Sequence, residues 1–114
     1  MRILNATQKT VICENAEIAR TIFLRMKGLL GRASIQDSQA LIITRCKSIH
    51  MVFMKFPIDV IFVDSKRIVV GLVRNIQPFQ FSPYFLKADY VIECAPGIID
   101  RTRSSIGDVI ELIS

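Results

Sequence analysis

Three polar side chains lie close together in the most apolar part of this sequence. They are His50, Lys55 and Asp59, and the stretch that holds them, Cys46–Asp64, otherwise consists mostly of large apolar residues. A charge buried without a partner is very costly, so such a group is either solvated or paired. His50 is the only histidine of the chain, and its imidazole could act as a general base or as a ligand. The stretch therefore indicates a polar site in an apolar setting.

Lys55 and Asp59 flank Pro57, and their position has two interpretations. In the first, the two charges meet at the mouth of a pocket, where they orient a ligand or shift a pKa. In the second, Asp59 accepts backbone N–H groups at the proline turn while Lys55 extends to water. Both interpretations stay open on the sequence alone.

The sequence gives less support to a metal site, a catalytic nucleophile or a phosphate-binding loop. Cys13, Cys46 and Cys94 are widely spaced, which is typical of reduced and mostly buried thiols. Cys46 and His50 are four residues apart and would share a face only on a helix, whereas their surroundings are typical of a strand, so we predict no metal site. The chain has no nucleophile-elbow motif and no glycine-rich phosphate loop, and we expect no cofactor.

The positive charge is concentrated in the first half of the chain. Nine basic and three acidic residues lie in Met1–Pro57, against six basic and seven acidic residues in Ile58–Ser114. This excess has two interpretations, a solvated face or a surface that docks on an acidic partner. The candidate docking residues are Arg20, Arg25, Lys27 and Arg32. The basic residues do not alternate with aromatic ones along a strand, which argues against nucleic acid as the partner.

The chain is patterned mainly as short strands. We predict them at Arg2–Asn5, Thr10–Cys13, Ala40–Thr44, Ser48–Met54, Ile58–Val63, Ile68–Val73, Asp89–Cys94 and Val109–Ile113. The spacing of apolar residues in Thr21–Leu30 predicts an amphipathic helix, with Thr21 as its N-cap and Gly31 at its end. Ile98–Ser105 is expected to form one helical turn.

Strands that follow one another without intervening helices favour antiparallel pairing. We therefore expect one domain over residues 1–114, in the mainly β class at the border with α+β. Its architecture would be a small antiparallel β sandwich or curled barrel of about seven strands with one short amphipathic helix. The longest apolar runs fall far short of the ~20 residues of a membrane-spanning helix. The first residues also lack an apolar stretch of signal-peptide length, so we expect a cytoplasmic protein.

The run His50–Asp64 resembles the signature of a small, widespread prokaryotic family, known as domain of unknown function one-nine-two. That signature is an aromatic-Met-basic triplet, here Phe53-Met54-Lys55, then Pro-hydrophobic-Asp and an apolar strand that ends in an acidic turn. The resemblance extends over most of the chain from about Ala19 onward. Its other matching segments are Arg25 with Gly28-Leu29, Tyr90–Glu93 with Gly97, and Gly107-Asp108-Val109.

This chain departs from the commoner family pattern in two places near the motif. Phe53 stands where a tryptophan is usual, and only Phe56 separates Lys55 from Pro57. The resemblance implies a compact, mainly β fold. It implies no settled activity.

We therefore predict a non-catalytic binding module that holds a small ligand or a protein segment at a polar-rimmed apolar site. The candidate site residues are His50, Met54, Lys55 and Asp59, beneath the loop Asn75–Pro83. The alternative is a small hydrolase or transferase in which His50 or Asp59 moves a proton and Lys55 stabilises negative charge. Because 51% of the residues are hydrophobic, an exposed apolar face and a homo-oligomer are further expectations.

Overall fold

The computed structural model of the protein describes residues 1–21, 24 and 27–114. Eight strands and one short helix, α1, lie wholly within these residues. Their bounds are β1 Arg2–Asn5, β2 Thr10–Cys13, β3 Asn15–Ala19, β4 Gln39–Thr44, β5 Ile58–Asp64, β6 Val69–Ile76, β7 Ala88–Cys94, α1 Ile98–Arg101 and β8 Ile110–Ile113. No helix in this part of the chain is long and apolar enough to cross a membrane.

The strands form two sheets. One sheet has three strands in the order β2-β1-β8, and the other has five in the order β3-β4-β7-β5-β6. All pairs of named strands are antiparallel except β3 with β4, which run parallel. The predicted mainly β fold is confirmed. The sheets do not close into a barrel, so the sandwich is the correct one of the two predicted architectures.

The two central strands of the larger sheet, β5 and β7, are buried on both of their faces. Successive side chains of a strand point to opposite faces, and residues paired across two strands share a face. Ile61 is paired with Ile92 on one face, and Phe62 is paired with Val91 on the other. All four are fully buried. The larger sheet therefore separates two hydrophobic cores.

The first core lies between the two sheets and includes the start of α1. The smaller sheet and α1 contribute Ile3, Ile12, Ile98, Ile99 and Ile110, and the larger sheet contributes Ile42, Ile61, Val63, Ile92 and Cys94. Each of these side chains is less than one-tenth exposed. This core holds the three-stranded sheet against the five-stranded one.

The second core lies on the opposite face of the larger sheet, beneath two largely irregular segments, residues 45–57 and 77–88, the second of which ends on the first residue of β7. Backbone hydrogen bonds join the two segments, from Met51 N–H to Gln80 O (2.8 Å), Phe79 N–H to Met51 O (2.8 Å) and Ser82 N–H to Ile49 O (2.9 Å). The largest sheet residue of this core, Phe62, packs on Phe85 with ring centroids 4.4 Å apart.

Two details of the predicted strands are wrong. Ser48–Met54 is not a strand, because Met54 N–H bonds Met51 O (3.1 Å) in a turn, and Phe53 has a left-handed backbone with φ 64. The edge strand β3, Asn15–Ala19, is absent from the prediction, and it pairs in parallel with β4. The hairpin of β5 and β6 is confirmed. The predicted helix Thr21–Leu30 rests on residues outside the described part of the chain.

Candidate functional site

Asp59 lies in the middle of the protein, with a side chain that is only 1% exposed. Its Oδ1 accepts the backbone N–H of Asn75 (2.8 Å), and its Oδ2 accepts the N–H groups of Gly97 (3.1 Å) and Ile99 (3.0 Å). Hydrogen bonds from several N–H donors are the usual way in which a buried carboxylate is stabilised. Asp59 therefore joins β5 to the end of β6 and to the start of α1.

Lys55 and Asp59 do not form a charged pair, because Lys55 is exposed and Asp59 is buried. The second of the two interpretations predicts that backbone N–H groups bond the carboxylate of Asp59, and the structure has partners of this kind. The donors, however, come from Asn75, Gly97 and Ile99 rather than from the turn at Pro57.

The other two predicted site residues, His50 and Met54, lie together on a cavity of about 110 Å³ on the second-core side of the larger sheet. We call it the Glu93 cavity, because Glu93 of β7 lines it as well. Its apolar lining includes Leu29 and Ile43. The structure thus brings two of the four predicted residues together and adds a carboxyl group that was not among them.

Glu93 reaches this cavity because of its place in the strand. It pairs with Val60 of β5 and Leu41 of β4, and both of these are second-core residues. Its side chain is 5% exposed, and Oε1 has no hydrogen-bond partner among the described residues. Burial raises the pKa of Glu93 to about 7, although the positive charge of Arg32 lowers it in part.

Cys46, His50 and Lys27 also contribute titratable groups to the lining of the Glu93 cavity. Cys46 is half-buried, and its Sγ donates to Ser48 O at 3.1 Å. His50 is exposed, with its ring centroid 6.4 Å from that of Phe81. A carboxyl, a thiol and an imidazole thus share a small site with apolar walls, which can bind a hydrogen-bond donor or exchange a proton with one.

Cys94 lies on the opposite face of β7, in the first core, and its Sγ donates to Asp59 O at 3.6 Å. Burial raises the pKa of Cys94 well above its ordinary value, and the charge of Asp59 raises it further. Such a thiol is unreactive. No group of three His, Cys, Asp or Glu residues in the described part of the chain could hold a metal ion.

The residues of the predicted basic docking surface are only partly described. Arg20 and Lys27 are exposed, and Lys27 also lines the Glu93 cavity. Arg32 forms an ion pair with Glu17 at 3.3 Å, and because both side chains are well exposed the pair contributes little to stability. Arg25 lies outside the described residues.

Glu93 is the functional candidate that the sequence analysis missed. Its carboxyl group lies in the otherwise apolar strand end Tyr90–Cys94. A charge in such a stretch is costly unless it is solvated or paired, which is the same reason that indicates Lys55 and Asp59. The signal was therefore present in the sequence.

The two stacked sheets and the Glu93 cavity define a small mixed β protein with a buried carboxyl group at its candidate site. Within that class, the chain belongs to the DUF192 family, described as "Uncharacterized ACR", whose family model matches residues 3–112. The match begins well before Ala19, from which the resemblance in the sequence extends.

Similar proteins have the same family assignment. The chain is 39% identical over 113 residues to a UPF0127 protein of Thermococcus sibiricus, covering 96% of this chain and 73% of the relative. It is 30% identical over 112 residues to a UPF0127 protein of Thermococcus kodakarensis, covering 95% of this chain and 71% of that one.

Two crystal structures have similar folds. A protein of unknown function from Novosphingobium aromaticivorans superposes with a TM-score of 0.86 at 26% identity, covering 98% of this chain and 84% of the other. A protein from Sinorhizobium meliloti superposes with a TM-score of 0.79 at 23% identity, covering 96% of this chain and 89% of the other, and that likeness shows the fold alone.

The contacts of Asp59 predict a large stability loss in Asp59→Asn. The amide removes the negative charge and leaves buried N–H donors with a poorer acceptor, so we expect the free energy of unfolding to fall by about 2–4 kcal/mol. Urea denaturation measures this change. The exposed Asp89→Asn is the control, and it should change the free energy by less than about 0.5 kcal/mol. A loss in Asp59→Asn as small as that of the control would contradict the assigned role.

The raised pKa of Glu93 predicts how stability depends on pH. Between the unfolded value of 4.5 and the folded value of about 7, the folded chain holds one more proton than the unfolded chain. Stability should therefore fall as pH rises through this range, by about 3 kcal/mol in total. In Glu93→Gln this contribution disappears, because the amide does not titrate.

Urea denaturation of wild type and Glu93→Gln at about pH 5 and about pH 8 tests this dependence. The variant should gain stability relative to the wild type at the higher pH. Glu111→Gln, which changes an exposed carboxyl, should follow the wild type at both pH values. Parallel behaviour of Glu93→Gln and the wild type would refute the raised pKa.

Proposed function

We propose that this protein is a binding module whose Glu93 cavity receives a small ligand, with a hydrogen-bond donor of the ligand directed to Glu93 Oε1. The observation that carries the proposal is the burial of this oxygen without a partner among the described residues. Buried polar atoms in folded proteins almost always have a partner, and an exception calls for a specific explanation. A ligand with an N–H or O–H group would supply the missing partner.

A second buried oxygen, Tyr90 Oη, also lacks a partner in the described part of the chain. Burying a neutral phenol without a hydrogen-bond partner costs less free energy than burying a carboxyl group that can ionise. Tyr90 also belongs to the first core rather than to the lining of the Glu93 cavity. Glu93 is therefore the stronger indication of a ligand.

The lining of the Glu93 cavity supports a ligand that is partly apolar. Leu29, Ile43 and Met54 offer hydrocarbon contacts, and His50 and Lys27 offer polar groups. Small-molecule sites commonly combine apolar walls with a few directed polar groups. The volume of about 110 Å³ holds several water molecules or a chemical group of similar size.

Proton transfer is the second candidate function, because a carboxyl group with a pKa of about 7 can both take up and release a proton near neutral pH. In this alternative Glu93 is the general acid or base, and His50 of the same cavity assists it. Asp59 is not available for that role, because its carboxylate is occupied by three backbone N–H groups.

A thermal-shift screen with small amines, guanidines, amides and alcohols tests the proposed binding. A ligand at one hundred times its Kd stabilises the folded state by about 2.7 kcal/mol, so its binding raises the Tm measurably. We expect that shift in the wild type and in the exposed control Glu111→Gln, and its loss in Glu93→Met, which removes both carboxyl oxygens and leaves no acceptor.

The proposal fails if no compound shifts the wild type, or if Glu93→Met responds as the wild type does. Mass spectrometry of the recovered compound separates the two candidate functions. Binding returns the compound unchanged in stoichiometric amount, whereas catalysis by Glu93 consumes it over many turnovers.

A further inference from the structure

Five large apolar side chains project from the segments 45–57 and 77–88. Their exposed fractions are 74% for Phe53, 62% for Phe79, 71% for Phe81, 65% for Tyr84 and 72% for Leu86. We call this set the aromatic surface. Single exposed apolar residues are normal on proteins, but a contiguous group of them marks an interaction site.

Phe53 and Phe79 are in contact with each other, and Phe81 lies beside His50 in the neighbouring strand-like pairing of the two segments. The ring centroids of Phe53 and Phe79 are 6.1 Å apart in an edge-to-face arrangement, and Phe81 forms an isolated β-bridge with His50. Phe53 and Phe79 both have left-handed backbones, with φ 64 and φ 69, which is costly for a bulky residue. The fold thus holds two phenylalanines outward in a conformation that would suit glycine better.

The charged residues within the two segments all have the same sign. Neither segment contains an Asp or Glu, and together they carry Arg45, Lys47, Lys55 and Lys87. Lys47 Nζ is held against the 77–88 segment by Leu86 O (2.7 Å) and Ala88 O (2.8 Å). The nearest acidic residue along the chain is the exposed Asp89, just beyond the second segment.

The geometry points to docking of the aromatic surface on an anionic lipid bilayer. Phe53, Phe79 and Phe81 enter the boundary between headgroups and acyl chains, while Lys55 and Lys87 lie over the negatively charged headgroups. Apolar insertion and attraction of basic residues to anionic lipid are the two forces that hold peripheral proteins on membranes. This inference is independent of the function proposed for the Glu93 cavity, although His50 borders both regions.

The shape of the patch favours a bilayer over a bound protein segment. A peptide is commonly taken up in a groove that buries its anchoring side chains. Here the apolar side chains themselves protrude, with Phe53 about three-quarters exposed. Protruding aromatic rings can insert into a lipid bilayer, and basic residues beside them are attracted to anionic headgroups.

Co-sedimentation with vesicles tests the proposal. We expect the wild type to bind vesicles in which a third of the phosphatidylcholine is replaced by phosphatidylglycerol, and to bind pure phosphatidylcholine more weakly. Phe53→Ser/Phe79→Ser/Phe81→Ser should lower the partition coefficient at least about tenfold on either vesicle. Lys55→Gln/Lys87→Gln should lower it about thirtyfold on the anionic vesicles alone.

The matched control is Ile106→Ser, since Ile106 is 62% exposed, as Phe79 is, but lies outside both segments. It should bind as the wild type does. All the substituted side chains are exposed, so each variant should keep the Tm of the wild type. A variant that does not keep it is replaced by the corresponding single substitutions.

The proposal is overturned if the wild type does not bind anionic vesicles, or if the triple serine variant binds them as well as the wild type. Equal binding to both kinds of vesicle, unchanged by salt, would overturn the role of the lysines. A wild-type dimer that the triple variant dissociates, without vesicle binding, would assign the surface to a second copy of the chain instead.

Discussion

Burial of the central strands β5 and β7 on both of their faces is the constraint on which the rest of this structure depends. A polar side chain at a buried position of β5 or β7 must find its partners inside the protein. Each of the two strands carries one buried carboxyl group near one of its ends, Asp59 in β5 and Glu93 in β7. Asp59 is paired with Cys94 across the two strands, so these two carboxyl groups point to opposite faces of the sheet.

The two carboxyl groups meet this constraint in different ways. Asp59 accepts three backbone N–H groups, and it thereby ties the end of β6 and the start of α1 to the central strand. Glu93 has an oxygen without a partner in the described part of the chain, beside a cavity, and burial raises its pKa. The first arrangement stabilises the fold, and the second is the observation behind the proposed binding of a donor group.

Much of the fold could be predicted from local patterns. The β-branched runs on either side of Asp64 specify the hairpin of β5 and β6, and the apolar run after Gln39 specifies β4. Ser48–Met54 is just as apolar, but its backbone bonds lie with the neighbouring segment 77–88 rather than in a regular ladder. Periodicity does not reveal this, because an irregular segment that covers a core needs the same side chains as a buried strand.

The candidate site was only partly predictable, for a similar reason. Sequence spacing placed His50 and Met54 near one another, and the structure puts both on the Glu93 cavity. The partners of Asp59 come from Asn75 and from the turn before α1, and no local pattern connects such distant parts of the chain. Glu93 was identifiable as an unusual residue in its strand, but its cavity is formed by residues from three separate parts of the chain.

Glu93 is buried beside the cavity, and its Oε1 has no hydrogen-bond partner in the part of the chain that the structure describes. Carbon-13 NMR of the side-chain carboxyl carbons, followed as a function of pH and assigned by comparison with Glu93→Gln, measures its titration directly. The account predicts a midpoint near the raised pKa of about 7. A midpoint near 4.5, the value of an ordinary glutamate, would contradict it.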